Sequence, residues 1–449
     1  MTIAFFVFIG LRLLAAKGEV TEPRAISANA PPGTASTVFQ KTKPYVCALK
    51  TAVSENAPKA SYGSAFVVDK TGLLATNYHV VVDAVRTPKK YKTFVIIDGK
   101  PIRAKVVAID VVRDLALVHV SHEFSGALEF GGVSLETGAK LYSVGVPEDL
   151  NMSIVEGNYN GLQKNGPYEN VVLSSPINPG MSGGPTINEQ AQIVGVNVAI
   201  LRQAQNISFA VPASYLKKLV DETRLPDRAV AAVVDDWGPS IVRQLKTAAD
   251  ELSEAWMQKA SERVEFKGWR AHAPPAGLKC WRDQKEKYAR EANVDVQRCM
   301  SLFSASPERD IQSGNYEIAY MNVTSPRLKS FQFFHLLDDI YGDLATSSFE
   351  SNGLIDELVD SLLDESSEAR YTKPRCGEEI VVNKQNIAMK VNYCVTGLVR
   401  YEGLLNGFVR WVTLEKQNSA LLMVLKLKGF RSQNMKQLFE ALTHSVEKF

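Results

Sequence analysis

Short apolar runs separated by Gly, Pro and Asn dominate residues 38–222: Ala65–Val68, Phe94–Ile97, Lys105–Ala108, Leu115–Val120, Val171–Ser174 and Ile193–Ile200. Val, Ile, Tyr and Phe fill them, as pleated, half-buried positions favour. Runs at this spacing, with almost no helical period, predict an antiparallel barrel or sandwich. Within this stretch only Pro212–Val220 reads as helix. Farther on, Ile241, Leu245, Ala249, Leu252 and Trp256 recur at three- and four-residue steps. That period predicts an amphipathic helix of about 24 residues, capped by Ser240 after Gly-Pro. Its apolar stripe serves either packing on the adjoining domains or a coiled-coil oligomer contact. Alternation over Tyr316–Thr324, Glu379–Asn383, Ile387–Val395, Phe408–Glu415 and Ala420–Lys428 predicts a small antiparallel sheet. A further helix is expected over residues 354–363, with a solvated acidic face of Asp356, Glu357, Asp360 and Asp364, and a closing helix over Met435–Lys448.

The amino-terminal pattern is different. Residues 3–11 are apolar, Arg12 interrupts them, and residues 13–16 resume the run. A spanning helix needs roughly 20 apolar residues, so residues 1–16 read as a secretory signal peptide or short anchor. Residues 17–37 are rich in Pro, Ala, Ser and Thr and read as a linker. The expected organisation is therefore 1–16, 17–37, a first globular region at 38–222, a helical connector at 223–272 and an α+β domain at 273–449. The 449 residues carry 51 basic and 49 acidic side chains, a net charge of +2, which gives no nucleic-acid footprint. Residues 3–16 could tether the chain to a membrane.

Four of the five cysteines lie in the second half. A three-residue turn at residues 384–386 sets a hairpin register that faces Cys376 with Cys394, leaving Cys280 for Cys299. The alternative is four reduced, buried thiols. No CxxC pair supports a zinc site. Cys47 alternates within an apolar strand and reads as a buried free thiol. His119 and His122 have ligand-like spacing, but His119 shares a strand face with Leu115 and Leu117 and reads as a packed side chain.

Three short motifs carry chemistry: Thr76-Asn77-Tyr78-His79-Val80, Arg113-Asp114-Leu115-Ala116-Leu117 and Asn178-Pro179-Gly180-Met181-Ser182-Gly183-Gly184-Pro185. A serine hydroxyl is a weak nucleophile until a base, itself oriented by a carboxylate, takes its proton. His79, Asp114 and Ser182 supply these groups. Asp110 is a rival carboxylate, but Asp114 directly starts the Leu-Ala-Leu strand. Asp114 follows His79 by 35 residues and Ser182 follows Asp114 by 68. The order His, Asp, Ser separates this set from subtilisin and α/β-hydrolase triads and fits a chymotrypsin-like double barrel.

These segments resemble the HtrA/DegP-type trypsin-like serine endopeptidases. The likeness runs in order through Tyr62–Phe66, Gly72–Val81, Asp110–Leu117, Tyr142–Pro147, Ile177–Pro185, Ile193–Ile200 and Phe209–Pro212, about 185 residues of 449. It implies an all-β chymotrypsin-like double β-barrel. It implies Ser182 as nucleophile, His79 as general base, Asp114 as orienting carboxylate and the backbone N–H groups of Gly180 and Ser182 as oxyanion hole. Ile177, Val198 and Ala199 fall at S1-pocket positions, implying small to medium apolar residues at P1. The resemblance further implies unfolded or misfolded protein substrates, a periplasmic or otherwise extracytoplasmic location, a homo-oligomer and no cofactor. Two departures stand out. Met181 replaces the family's usual Asn, and the loop over residues 50–61 is short, which disfavours control through it.

Beyond residue 222 no Gly-Leu-Gly carboxylate-binding loop of a PDZ domain occurs, and neither do a Walker A loop, HExxH or a dinucleotide fingerprint. The second half is expected to supply localisation, oligomerisation or substrate choice. The competing reading is a protease-fold binding or adaptor protein with an inactive or latent site.

Overall fold

A computed structural model describes residues 34–131, 135–148, 150–165, 167–198, 206–224, 236–258, 262–274, 278–284, 290–346, 370–414 and 418–449. The amino-terminal segment 1–16, Ala199 and the helix expected at 354–363 lie outside these. The first helix, α1 (Thr34–Thr42), takes in residues 34–37 of the expected linker, because Val38 and Thr42 are buried and anchor it.

Twelve strands form the first half. They are β1 (Val46–Ala52), β2 (Lys59–Asp69), β3 (Leu73–Thr76), β4 (Lys92–Ile97), β5 (Lys100–Asp110), β6 (Leu115–Val120), β7 (Lys140–Gly145), β8 (Ser153–Asn165), β9 (Tyr168–Leu173), β10 (Pro185–Ile187), β11 (Ile193–Val198) and β12 (Ser208–Pro212). Strands β1–β6 close into one antiparallel barrel in the order β1-β2-β3-β6-β5-β4, and β7–β12 into another in the order β10-β11-β12-β9-β8-β7. This is a chymotrypsin-like double barrel. Period-two alternation builds it: Phe66, Val68, Leu115 and Leu117 cluster with Tyr142, Val144, Ile187 and Val196 of the second barrel. Helix α2 (Tyr78–Arg86) interrupts the first barrel after β3, and α3 (Ala213–Thr223) follows the second.

Helix α4 (Gly238–Met257) is the expected amphipathic helix. It starts before Ser240, because the Asp236 carboxylate accepts the Gly238 N–H at 2.8 Å. A hairpin of β13 (Arg263–Phe266) and β14 (Trp269–His272) follows. The remaining strands are β15 (Leu278–Gln284), β16 (Asn293–Ser301), β17 (Ala305–Glu308), β18 (Ile311–Ser313), β19 (Asn315–Thr324), β20 (Arg375–Val382), β21 (Ala388–Gly397), β22 (Leu405–Thr413), β23 (Ser419–Phe430) and β24 (Glu447–Lys448). Helix α5 (Ser330–Thr346) precedes β20, and α6 (Ser432–Ser445) follows β23. Seven strands form one antiparallel sheet, β15-β16-β19-β23-β22-β21-β20. It is larger than expected because β15 and β16 also join it. Disulfides Cys280–Cys299 and Cys376–Cys394 tie the outermost strand to its neighbour at each edge.

The two faces of the sheet bury different partners. Ala319, Met321, Leu422 and Val424 pack on Phe333, Leu336 and Ile340 of α5. The alternate residues Ile318, Tyr320, Met423 and Leu425 share a cluster with Leu245, Leu252 and Trp256 of α4. That cluster continues without a break into Tyr78, Val82 and Val85 of α2 and Leu49, Val67 and Val118 of the first barrel. The α4 stripe is thus spent inside the chain, and the two halves share one core. Among the described residues no helix is long and apolar enough to cross a membrane.

Candidate active site

Residues His79, Asp114 and Ser182 come from three elements that meet where the barrels join. His79 is the second residue of α2. Asp114 precedes β6 and has φ of 55°, in the left-handed region that Asp tolerates better than most side chains. This turn aims the carboxylate back at α2. Asp114 Oδ2 lies 2.7 Å from His79 Nδ1, and Oδ1 accepts the His79 backbone N–H at 2.8 Å. The Asn77 amide and the Tyr78 N–H both donate to the Asp114 carbonyl, at 2.8 and 3.2 Å. Four hydrogen bonds therefore fix the aspartate on the histidine segment. The bond on Nδ1 leaves Nε2 free for a proton from elsewhere. Asp110 is engaged differently, paired with Arg113 at 3.0 Å.

The histidine side chain is 43% exposed. Desolvation of the ring favours its neutral form, but the charge and hydrogen bond of Asp114 outweigh that, so its pKa stands above the ordinary histidine value. Asp114 thus favours the imidazolium form of His79.

Ser182 sits on a loop held on three sides. The Ser64 N–H donates to its carbonyl at 2.7 Å, the Ser64 hydroxyl donates to the Gly180 carbonyl at 2.8 Å, and Glu148 N–H donates to the Pro179 carbonyl at 3.1 Å. Gly183 has φ of 84°, and a Cβ there would lie 2.3 Å from the Ser64 carbonyl and 2.4 Å from Thr76 Oγ1. Only glycine lets the loop press so closely on the strand leading to His79. Met181 is fully buried, and its N–H donates to the Asn178 carbonyl at 3.0 Å, so the loop closes without an Asn there. Among the described residues, the N–H groups of Gly180 and Ser182 and the Ser182 hydroxyl have no hydrogen-bond partner. Ser182 is 9% exposed.

Of the residues expected at an S1 pocket, Ile177 is buried at the base of this loop. Val198 instead lines a cavity that holds His79 and Asp114, and Ile177 does not line it. His119 Nε2 lies 3.2 Å from the Thr71 carbonyl, and His122 packs edge-on against Phe124. Among the described residues no group of three or more acids, cysteines and histidines could hold a metal. Cys47 is free and buried, and its thiol pKa is pushed up to about 12, chiefly by desolvation.

What the sequence did not signal is the second half's reach into the site. The Tyr78 hydroxyl donates to the Pro307 carbonyl at 2.9 Å across 229 residues. Glu308, 7% exposed, pairs with Arg86 of α2 and accepts a 2.8 Å bond from the Tyr401 hydroxyl. Arg309 donates to Asp83 and to the Ala60 carbonyl at 3.0 and 2.7 Å. Helix α2 is thereby clamped to residues 307–309.

Residues 63–196 match the family model of the trypsin-like peptidase domain. The chain is 31% identical over 169 residues to a Chlamydia trachomatis protein named "probable periplasmic serine endoprotease DegP-like", covering 36% of this chain and 33% of the relative. It is 32% identical over 173 residues to a Rhizobium meliloti protein of the same name, with 36% and 33% covered. A serine endoprotease structure from Yersinia pestis matches at 20% identity and a TM-score of 0.38, covering 44% of this chain and 70% of that one. The chain spans about a third of the length of those two curated relatives.

Proposed function

We propose that this HtrA-type, trypsin-like domain is a serine endopeptidase working through an acyl-enzyme on Ser182. The carrying observation is the His79–Asp114 pair, joined by hydrogen bonds of 2.7 and 2.8 Å, with the Ser182–Gly183 turn pressed on Thr76 and Asn77 just before His79. In this reading Ser182 Oγ attacks the scissile carbonyl carbon while its proton passes to His79 Nε2. The resulting oxyanion is held by the free N–H groups of Gly180 and Ser182. Removing one such donor costs roughly 10² to 10³ in rate in comparable sites. Collapse breaks the C–N bond, and His79 returns the proton to the departing amine. Water then repeats the sequence on the ester and frees the acid. Asp114 holds the ring tautomer throughout and stays ionised.

Unfolded or misfolded proteins outside the cytoplasm are the proposed substrates, with small to medium apolar residues at P1 beside Ile177. Support for the location comes from the relatives named periplasmic endoproteases. A latent or binding-only site is the second reading. It draws on the Ser182 hydroxyl, which among the described residues has no bond to His79. Such bonds are often long in unliganded enzymes and tighten on substrate.

The test is labelling of the purified full chain with a fluorophosphonate probe, beside Ser182→Ala and His79→Ala. Labelling that both substitutions abolish supports the endopeptidase reading. A folded wild type that takes no label rejects it in favour of the second.

A further inference from the structure

The turn between β16 and β17 runs beside the His79–Asp114 pair. His79, Asp114 and Val198 line a cavity of about 280 Å³ on the barrel side, and Leu302, Phe303 and Ser306 line it from the second half. Its volume falls below the about 300–1,000 Å³ of a whole small-molecule site, so it has room for one side chain.

This wall is fixed at both ends. Phe303 packs on Tyr168 with ring centroids 4.6 Å apart, and the Ser301 hydroxyl bonds both its N–H and its carbonyl, at 3.1 and 3.0 Å. At the other end stands the Tyr78–Pro307 bond and the clamp on α2. A wall that cannot yield discriminates between side chains by size. Beside the first anchor, Leu302 is 39% exposed. In the proposed mechanism, the residue on the amino-terminal side of the acylating one would lie across the His79 ring, toward Val198.

We infer that residues 302–306 form one wall of the substrate cleft, and that Leu302 selects the substrate side chain seated between His79 and Val198. The apolar surfaces of Val198, Leu302 and Phe303 fit leucine- to phenylalanine-sized residues. The inference rests on the endopeptidase reading and assigns substrate choice to the half of the chain outside the trypsin-like domain.

The experiment compares the full-length wild type with Leu302→Ala, Leu302→Trp and the volume-keeping Leu302→Met. Each is labelled with the fluorophosphonate probe, melted, and assayed for kcat/KM on peptides that keep Val before the cleaved bond and differ only at the next residue on its amino-terminal side: Ala, Leu, Phe or Asp. The wild type and Leu302→Met prefer Leu and Phe. Leu302→Trp shifts the ratio toward Ala, and Leu302→Ala shifts it toward Phe, each by roughly 10-fold. The melting temperature stays unchanged, and all four proteins take the label. One shared order of preference in all four labelled proteins overturns the inference. A wild type that takes no label overturns the endopeptidase reading, and the inference falls with it.

Discussion

The Tyr78 hydroxyl and the Pro307 carbonyl, 2.9 Å apart, join the residue before His79 to the second half of the chain. Tyr78 is fully buried, and desolvation pushes its pKa well up, so the hydroxyl stays a donor at any working pH. Tyr78→Phe keeps the ring and strands a buried carbonyl. The expected loss is about 1–3 kcal/mol of stability. It is read from urea unfolding, with slower probe labelling of Ser182 beside it. An unchanged midpoint would show that the contact carries no weight.

Activity should fall as His79 gains a proton, because the imidazolium cannot act as base. Desolvation lowers the His79 pKa and Asp114 more than offsets it, so the acid limb of kcat/KM lies above the about 6.5 of an unperturbed histidine. In Asp114→Asn the raising influence goes and desolvation remains. The limb then moves to lower pH while the plateau falls by about 10⁴-fold, the ring being left in the wrong tautomer. A pH–rate profile of both proteins decides it; a limb that stays in place means that another group sets it.

Much of this site was legible in the sequence, and the reason is physical. His79, Asp114 and Ser182 each sit in a local motif whose backbone does the positioning, such as the close approach at Gly183. The register of β20 and β21 was legible too, since a short turn fixes pairing over a hairpin. The clamp on α2 was not. Pro307, Glu308 and Arg309 meet Tyr78, Arg86 and Asp83 through tertiary packing, with no period or spacing to announce it. Met181 reads as a departure in sequence, yet its backbone bond to Asn178 keeps the turn intact.

Residues 34–222 alone should not make a stable domain. In the full chain Tyr78, Val82, Val85, Val111 and Val112 share a core with α4 and the seven-stranded sheet. Each large apolar side chain returned to water forfeits about 1.5–3 kcal/mol. The Gln244 side chain also bonds the Val111 N–H and the Ile109 carbonyl, at 2.8 and 2.9 Å, and both groups lose it. The truncated chain is expected to aggregate or to bind an apolar dye. A monomeric fragment that melts cooperatively and labels like the full chain would refute a shared core.

The disulfides should matter to the sheet more than to the triad. They close loops separated by 19 and 18 residues, for which constraint of the unfolded chain is worth about 3 kcal/mol. Cys376→Ser with Cys394→Ser should lower stability by about 2–4 kcal/mol. It should also speed hydrogen exchange in β20, whose outer edge has no partner strand among the described residues. Exchange in β20 equal to wild type would count against the staple.

Gly183→Ala is expected to abolish labelling, because the new methyl would stand 2.3 Å from the Ser64 carbonyl. Circular dichroism distinguishes a displaced loop, with native strand signal, from general unfolding. Full labelling would mean that the loop can shift without harm.

The clamp also imposes an order in time. A ribosome finishes both barrels well before it adds Pro307 and Glu308, so a nascent chain carries all three triad residues while helix α2 still lacks its support. The wall at Leu302 and the anchor on Tyr78 arrive together, with the rest of the second half. On the proposed reading, synthesis separates possession of His79, Asp114 and Ser182 from possession of a finished cleft, and a newly made chain passes the stage at which it is itself unfolded before that cleft is complete.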